Sequence, residues 1–119
     1  MKLLTKAQRN KLLKNGQAQL DSFTTGVVPT GTMPVVKLFN PGGAATWLIS
    51  EIDPEDNDTC FGLADLGMGF AELGSFSLRE IESLRGQFGR PMERDRHWEP
   101  TKTLAEYAEE ARAAGRIVA

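Results

Sequence analysis

The chain has 119 residues, 40% of them hydrophobic and 25% charged, with a formal net charge of −2. That size and mixture suit a single α+β domain over residues 1–119 with one core, and no apolar run approaches the roughly 18 to 20 residues that span a bilayer. Cys60 is the only cysteine, which excludes an internal disulfide and a thiolate metal cage.

The start MKLLTKAQRNKLLKNG lacks the continuous apolar segment and small-residue cleavage site of a secretion signal, so a reducing cytoplasm is the expected home. Net charge argues against a dominant nucleic-acid footprint, yet it hides an asymmetry. Lys2, Lys6, Arg9, Lys11 and Lys14 precede the first acid, Asp21, whereas Glu51, Asp53, Glu55, Asp56 and Asp58 follow one another with no base between them. The molecule is expected to be electrically two-ended, unless both runs are simply solvated surface.

Thr5-Lys6-Ala7-Gln8 has the form of a capping box and Asn15-Gly16 that of a helix stop, which predicts a short helix over Thr5–Asn15. Ala7, Leu12 and Leu13, with Leu3 and Leu4 before the cap, would anchor it. Its basic residues spread around the axis, unlike a helix that reads a DNA groove. Gln17 to Met33 has the composition of a long loop. Pro34 to Phe39 reads as a strand, and Asn40-Pro41-Gly42-Gly43 as the turn after it.

Ala45–Ile52 and Thr59–Leu66 are rich in β-favouring residues and flank the turn formers Asp53 to Asp58, which predicts an antiparallel hairpin. If Asp53 faces Asp58, Leu48 lies beside Leu63, Ser50 beside Phe61 and Ile52 beside Thr59. On the other face Trp47, Ile49 and Glu51 then meet Ala64, Gly62 and Cys60, small residues that leave room for a helix over Trp47. A turn at Gly67-Met68-Gly69 leads to a short strand near Ala71–Phe76. Ser77-Leu78-Arg79-Glu80 is a second capping box, opening a helix that Gly86 is placed to end in a left-handed conformation. Met92 to Glu99 alternates in the manner of a charged edge strand. Thr103-Leu104-Ala105-Glu106 is the third box, with Leu104, Tyr107, Ala108 and Ala111 on one apolar face and a stop at Gly115. The sum is an antiparallel β-meander of three to five strands packed by about three short helices.

Chemical motifs are weaker. Asp53 to Asp58 fails as a calcium loop, because the sixth position is Asp58 where glycine is needed and the twelfth is Ala64 where glutamate is needed. Weak Mg²⁺ or Ca²⁺ association is the alternative to a plain acidic tip. Glu51 and Asp53, two apart on a strand, would have Cα atoms about 6.5 to 7 Å apart on the Trp47 face, a separation compatible with acid and base work on a glycoside. His97 is the only histidine, so any Ser-His-Asp or Cys-His scheme would need it, but Cys60 falls in a different strand. No Gly-x-Ser-x-Gly elbow and no phosphate loop is present. No catalytic residue, cofactor or metal ligand is assigned.

The order KLLTKAQRNKLLKNG, PVVKLFNPGGAATWLISEIDPEDNDTCFGLADLGMGFAELGSFSL, RGQFGRPMERDRHWEPTKTLAEYAEEARAAG resembles a small bacterial family of domains of unknown function carried on conjugative plasmids, integrative elements and phages. The resemblance covers nearly the whole chain, most distinctively in TWLISEIDPED and FGLADLGMGFAELG. Related domains in large proteins of mobile elements imply a role against host defence, with no catalytic residues to carry over. The expectation is therefore a non-enzymatic accessory, anti-restriction or anti-CRISPR, that binds a host protein in the cytoplasm. Glu51, Asp53, Glu55, Asp56 and Asp58 would meet a basic nucleic-acid-binding surface of that protein, with no direct binding to nucleic acid or membrane. The alternative is a small enzyme using Glu51, Asp53 or His97.

Overall fold

The computed structural model describes residues 3–26 and 31–119. Its elements are α1 (Lys6–Thr25), β1 (Val36–Phe39), β2 (Thr46–Ile52), β3 (Thr59–Asp65), β4 (Ala71–Ser77), α2 (Leu78–Ser83), β5 (Glu93–Arg94) and α3 (Leu104–Ala114). The five strands form one antiparallel sheet in the order β4-β3-β2-β1-β5, a four-strand meander with β5 added beside β1. The α+β meander expected from the sequence is the fold.

Alternation along the strands sends residues to two cores, one on each face of the sheet, where a single core was expected. On one face Trp47, Ile49, Ile52 and Cys60 are buried with Leu12 of α1 and Leu78 and Ile81 of α2. On the other, Leu48 and Leu63 are buried with Leu104, Tyr107, Ala108 and Ala111 of α3, the four apolar residues expected on that helix. Trp47 is 4% exposed and shares its core with α2, as the small residues opposite it suggested.

Helix starts follow local chemistry closely. Thr5 Oγ1 accepts from the Gln8 amide at 3.1 Å while the Gln8 side chain accepts from the Thr5 amide at 3.0 Å. The same reciprocal box closes between Thr103 and Glu106, and Gly115 ends α3 at φ +77°. At Ser77 only half of the box forms, with Ser77 Oγ accepting from the Glu80 amide. Ser77 is also the last residue of β4, so its place is set by the sheet.

Six expectations about the elements need correction. The first helix does not stop at Asn15-Gly16; it runs to Thr25 and is capped by Gly26 at φ +75°. Most of the expected Gln17–Met33 loop is therefore helix, and its part at residues 27–30 lies outside the described residues. Ala7 is exposed and does not help to anchor it. The reason is tertiary. Asn15 Nδ2 donates to the Ser50 carbonyl at 2.9 Å, and Gly16 brings the helix so close to β2 that an added Cβ would lie 1.9 Å from the Ile52 carbonyl oxygen. The dipeptide is a docking point for the sheet.

The hairpin register is as expected from Trp47↔Ala64 to Ile49↔Gly62 and then shifts, because a β-bulge at Ser50 gives Glu51↔Phe61 and Ile52↔Cys60. Ser50 thus does not face Phe61 as a simple pair. An extra residue in one strand turns all later side chains over, so Ile52 enters the Trp47 core and Glu51 leaves that face. α2 ends at Ser83, and Gly86 has φ −86°, not a left-handed value; its missing side chain makes room for Asn40 Oδ1, 2.5 Å from where a Cβ would stand. Finally, the edge strand expected at Met92–Glu99 pairs only at Glu93–Arg94, because the Asp95 carboxylate accepts from the His97 amide and turns the chain.

Replacing Gly16 by Ala should destabilise the fold by about 1 to 3 kcal/mol or more, since backbone must move to admit the methyl. Gly74→Ala, where a Cβ meets nothing within 4 Å, should be near neutral. Equal urea midpoints for the two variants would contradict the docking assigned to Gly16. Trp47→Ala should cost about 3 to 5 kcal/mol, and a melting temperature within a degree or two of the parent would contradict its place in the core.

Candidate functional site: the acidic turn and the Glu51 cleft

The acidic turn connects β2 to β3 and is built by its own carboxylates. Asp53 Oδ1 accepts from the Glu55 amide at 2.9 Å, closing the first bend. Asn57 then takes φ +55°, a left-handed value that asparagine tolerates, and its amide donates to the Asp53 carbonyl at 2.9 Å. Asp56 Oδ1 accepts from the amides of Asp58 and Thr59, both at 2.9 Å, and its Oδ2 accepts from the Thr59 hydroxyl.

Asp58 reaches across to the start of α2. Its Oδ2 accepts from the Ser77 hydroxyl at 2.6 Å and its Oδ1 from the Arg79 amide at 2.8 Å, while the Arg79 guanidinium stands 3.8 Å away. The Leu78 amide donates to the Asp58 carbonyl at 3.1 Å. Hydrogen bonds from Thr59 hold the Asp56 carboxyl below the usual carboxylate range, and those from Ser77 and Arg79 do the same for Asp58. Both therefore stay ionised. Of the five carboxylates, only those of Glu51 and Glu55 make no hydrogen bond or ion pair among the described residues, and Glu55 is exposed.

Glu51 sits elsewhere. The bulge points it away from Trp47, to the Phe61 side of the sheet, where it borders a cleft of about 300 Å³ with Gln19 of α1, Thr32, Phe61, Ser75 and Leu104. Lys11, Asn15 and Met33 border the adjoining space around the same carboxylate. Burial, and then the negative charge of Asp53, push the Glu51 carboxyl above its ordinary value. Glu51 and Asp53 are thus close enough to feel each other, but Glu51 alone of the two lines the cleft, and it is not on the Trp47 face as expected.

The other chemical candidates stay apart. His97 is exposed in the turn after β5, and Cys60 is buried in β3, its thiol pushed up to about 12 chiefly by desolvation, which leaves it inert as a nucleophile. Among the described residues no group of three or more His, Cys, Asp or Glu side chains could hold a metal ion. None of their helices is long and apolar enough to cross a membrane. Gln19 and Thr32 were not readable as cleft residues, because both fell in a stretch with loop composition and only the helix running on past Gly16 brings Gln19 to Glu51.

Fold and site together define an α+β domain with a rigid acidic turn and a polar cleft around one perturbed carboxylate. Residues 3–118 match the family described as Protein of unknown function (DUF2958), and the chain belongs to that family. Comparisons with curated proteins and with solved structures give no match.

The Glu51 shift has a sign that can be measured. A carboxyl raised in the folded state binds its proton more tightly there than in the unfolded chain. Its contribution to stability is therefore lost as pH climbs from the ordinary glutamate range through the raised value. Glu51→Gln should flatten that fall in a plot of urea midpoint against pH, and curves that run parallel for parent and variant would contradict the cleft environment. Asp56 and Asp58 act oppositely, adding stability that is lost as pH falls through their lowered values.

Proposed function

We propose that this domain is a non-enzymatic accessory of mobile genetic elements, plasmids and phages among them, that acts in the host cytoplasm by binding a host protein. The partner is a defence protein, of a restriction or CRISPR system, whose basic nucleic-acid-binding surface meets the acidic turn. The observation that carries this reading is the internal bonding of the turn. Asp53, Asp56 and Asp58 turn hydrogen-bonding capacity to the groups around them, and Asp56 and Asp58 are thereby held ionised, so the negative surface is fixed in one shape before any partner arrives. A preorganised acidic projection loses little conformational entropy on binding and speeds encounter with a basic surface.

The bonding also dictates the test. Asp56 supports the turn through three hydrogen bonds, so its reversal would disturb the shape as well as the charge. Glu55 carries charge without such bonds and is the clean position. With a partner captured from host lysate and identified, Glu55→Lys should slow association about tenfold at low salt and reduce its dependence on ionic strength. An unchanged rate at every salt concentration would overturn the acidic-turn reading.

A second reading is favoured by Glu51, whose raised carboxyl beside Asp53 in a cleft suits a general acid in a small enzyme. His97, exposed and far along the chain in the turn after β5, adds nothing to that arrangement. Loss of the host phenotype in Glu51→Gln, with folding and partner binding intact, would favour the enzyme over the accessory.

A further inference from the structure

The two edges of the sheet are built differently. β5 is two residues long, follows Pro91, carries Glu93 and Arg94, and is tied down by the Arg94 guanidinium donating to the Leu3 carbonyl. Shortness, charge and proline are the usual guards against strand addition. β4 is neither short nor interrupted by proline. It runs for seven residues with Glu72 as its only charge, pairs with β3 without a bulge, and among the described residues has no strand on its outer side. A Cβ built on Gly74 at its centre would meet nothing within 4 Å.

Beside that edge, on the Trp47 face, lies a cavity of about 440 Å³ between β4 and α2. Trp47, Phe76, Ile81 and Leu84 give it apolar walls, and Glu72 and Glu80 are the only charged residues that line it. Glu72, Gly74 and Phe76 point to this face because they pair with Ala64, Gly62 and Cys60. Leu73, on the opposite face of the same strand, is 43% exposed.

We propose that β4 is a docking edge for an extended segment of a partner protein, which joins the sheet as an added strand and carries a lysine or arginine on each side of an apolar side chain. The unpaired backbone edge calls for another extended backbone, and strand addition supplies main-chain hydrogen bonds while alternate side chains fill pockets. The cavity takes the apolar side chain. Glu72 and Glu80, with no base in the lining, select the flanking cations. A second copy of the chain is a poorer occupant. β4 paired antiparallel with itself about Gly74 would set Glu72 opposite Phe76 and, having no lysine or arginine of its own, would bring no cation to Glu72 and Glu80.

This inference deepens the partner-binding reading but uses a different surface from the acidic turn, so either can fail alone. The probe is a capped, fluorescein-labelled peptide, Thr-Lys-Thr-Leu-Thr-Lys-Thr, which as a strand places Lys, Leu and Lys on one face. It should bind saturably by fluorescence anisotropy and slow amide exchange in β4, residues 71–77. Methylating alternate backbone nitrogens of the peptide, or replacing its lysines by glutamate, should weaken binding about tenfold or more, and so should the exposed reversal Glu72→Lys. Glu55→Lys should leave peptide binding unchanged, whatever it does to the host partner. Failure to bind, equal affinity for the methylated peptide, or no slowing of β4 exchange would overturn the proposal. So would a dimer that protects β4 without peptide.

Discussion

The contact on which this architecture depends is the meeting of α1 with the backbone of β2. β1 pairs with β2 only as far as Ile49, where the Val35 amide still donates to the Ile49 carbonyl at 2.8 Å. Beyond it the chain bulges at Ser50, a residue with no exposed surface. A buried carbonyl without a donor would cost about 1 to 3 kcal/mol. Asn15 supplies the donor, Gly16 removes the side chain that would hold the helix off, and the Ser50 hydroxyl donates to the Phe61 carbonyl across the ladder at 3.1 Å. A helix thus covers the length of strand that β1 leaves bare. The bulge also sorts the residues after it, sending Ile52 to the core shared with Leu12 and Glu51 to the cleft beside Gln19.

What was legible in the sequence follows from the range of the forces involved. Boxes at Thr5 and Thr103 and the stop at Gly115 need only residues three or four positions apart, so they could be read without knowing the fold. The hairpin register was legible up to Ile49, where alternation holds. It was not legible beyond, because nothing in Leu48-Ile49-Ser50-Glu51-Ile52 distinguishes a regular strand from one with an extra residue. Asn15-Gly16 misleads for a related reason. The same pair that ends a helix in solution lets one approach a sheet, and only the distant Ser50 and Ile52 decide which. Gly86 repeats the lesson, serving the approach of Asn40 instead of a left-handed turn.

The acidic run shows how a charge pattern can be correct and incomplete. Its five carboxylates divide into three tasks that composition cannot separate. Asp53 and Asp56 shape the turn, Asp58 anchors α2, and Glu51 is withdrawn into the cleft, which leaves Glu55 with charge and no structural bond. The anchor is the physically demanding one. A six-residue helix is far too short to be stable by propagation alone, so α2 relies on Asp58 at its start and on Leu78 and Ile81 in the core.

Because Asp58 is tied to Ser77, the acidic turn and the open edge of the sheet are mechanically one piece. β4 ends at Ser77, opposite Thr59, the residue that closes the turn by bonding to Asp56. The negative charge of the turn and the long unguarded strand are thus held in a fixed relation, as two separate surfaces of one body. The opposite edge offers neither, since β5 is brief and Lys37 beside it stands 3.7 Å from Asp95. The sheet is therefore polarised across its width as well as along the chain. The bulge at Ser50 maintains the distinction, by turning Glu51 out of the face where the β4 cavity lies and leaving Glu72 and Glu80 as the charges of that cavity.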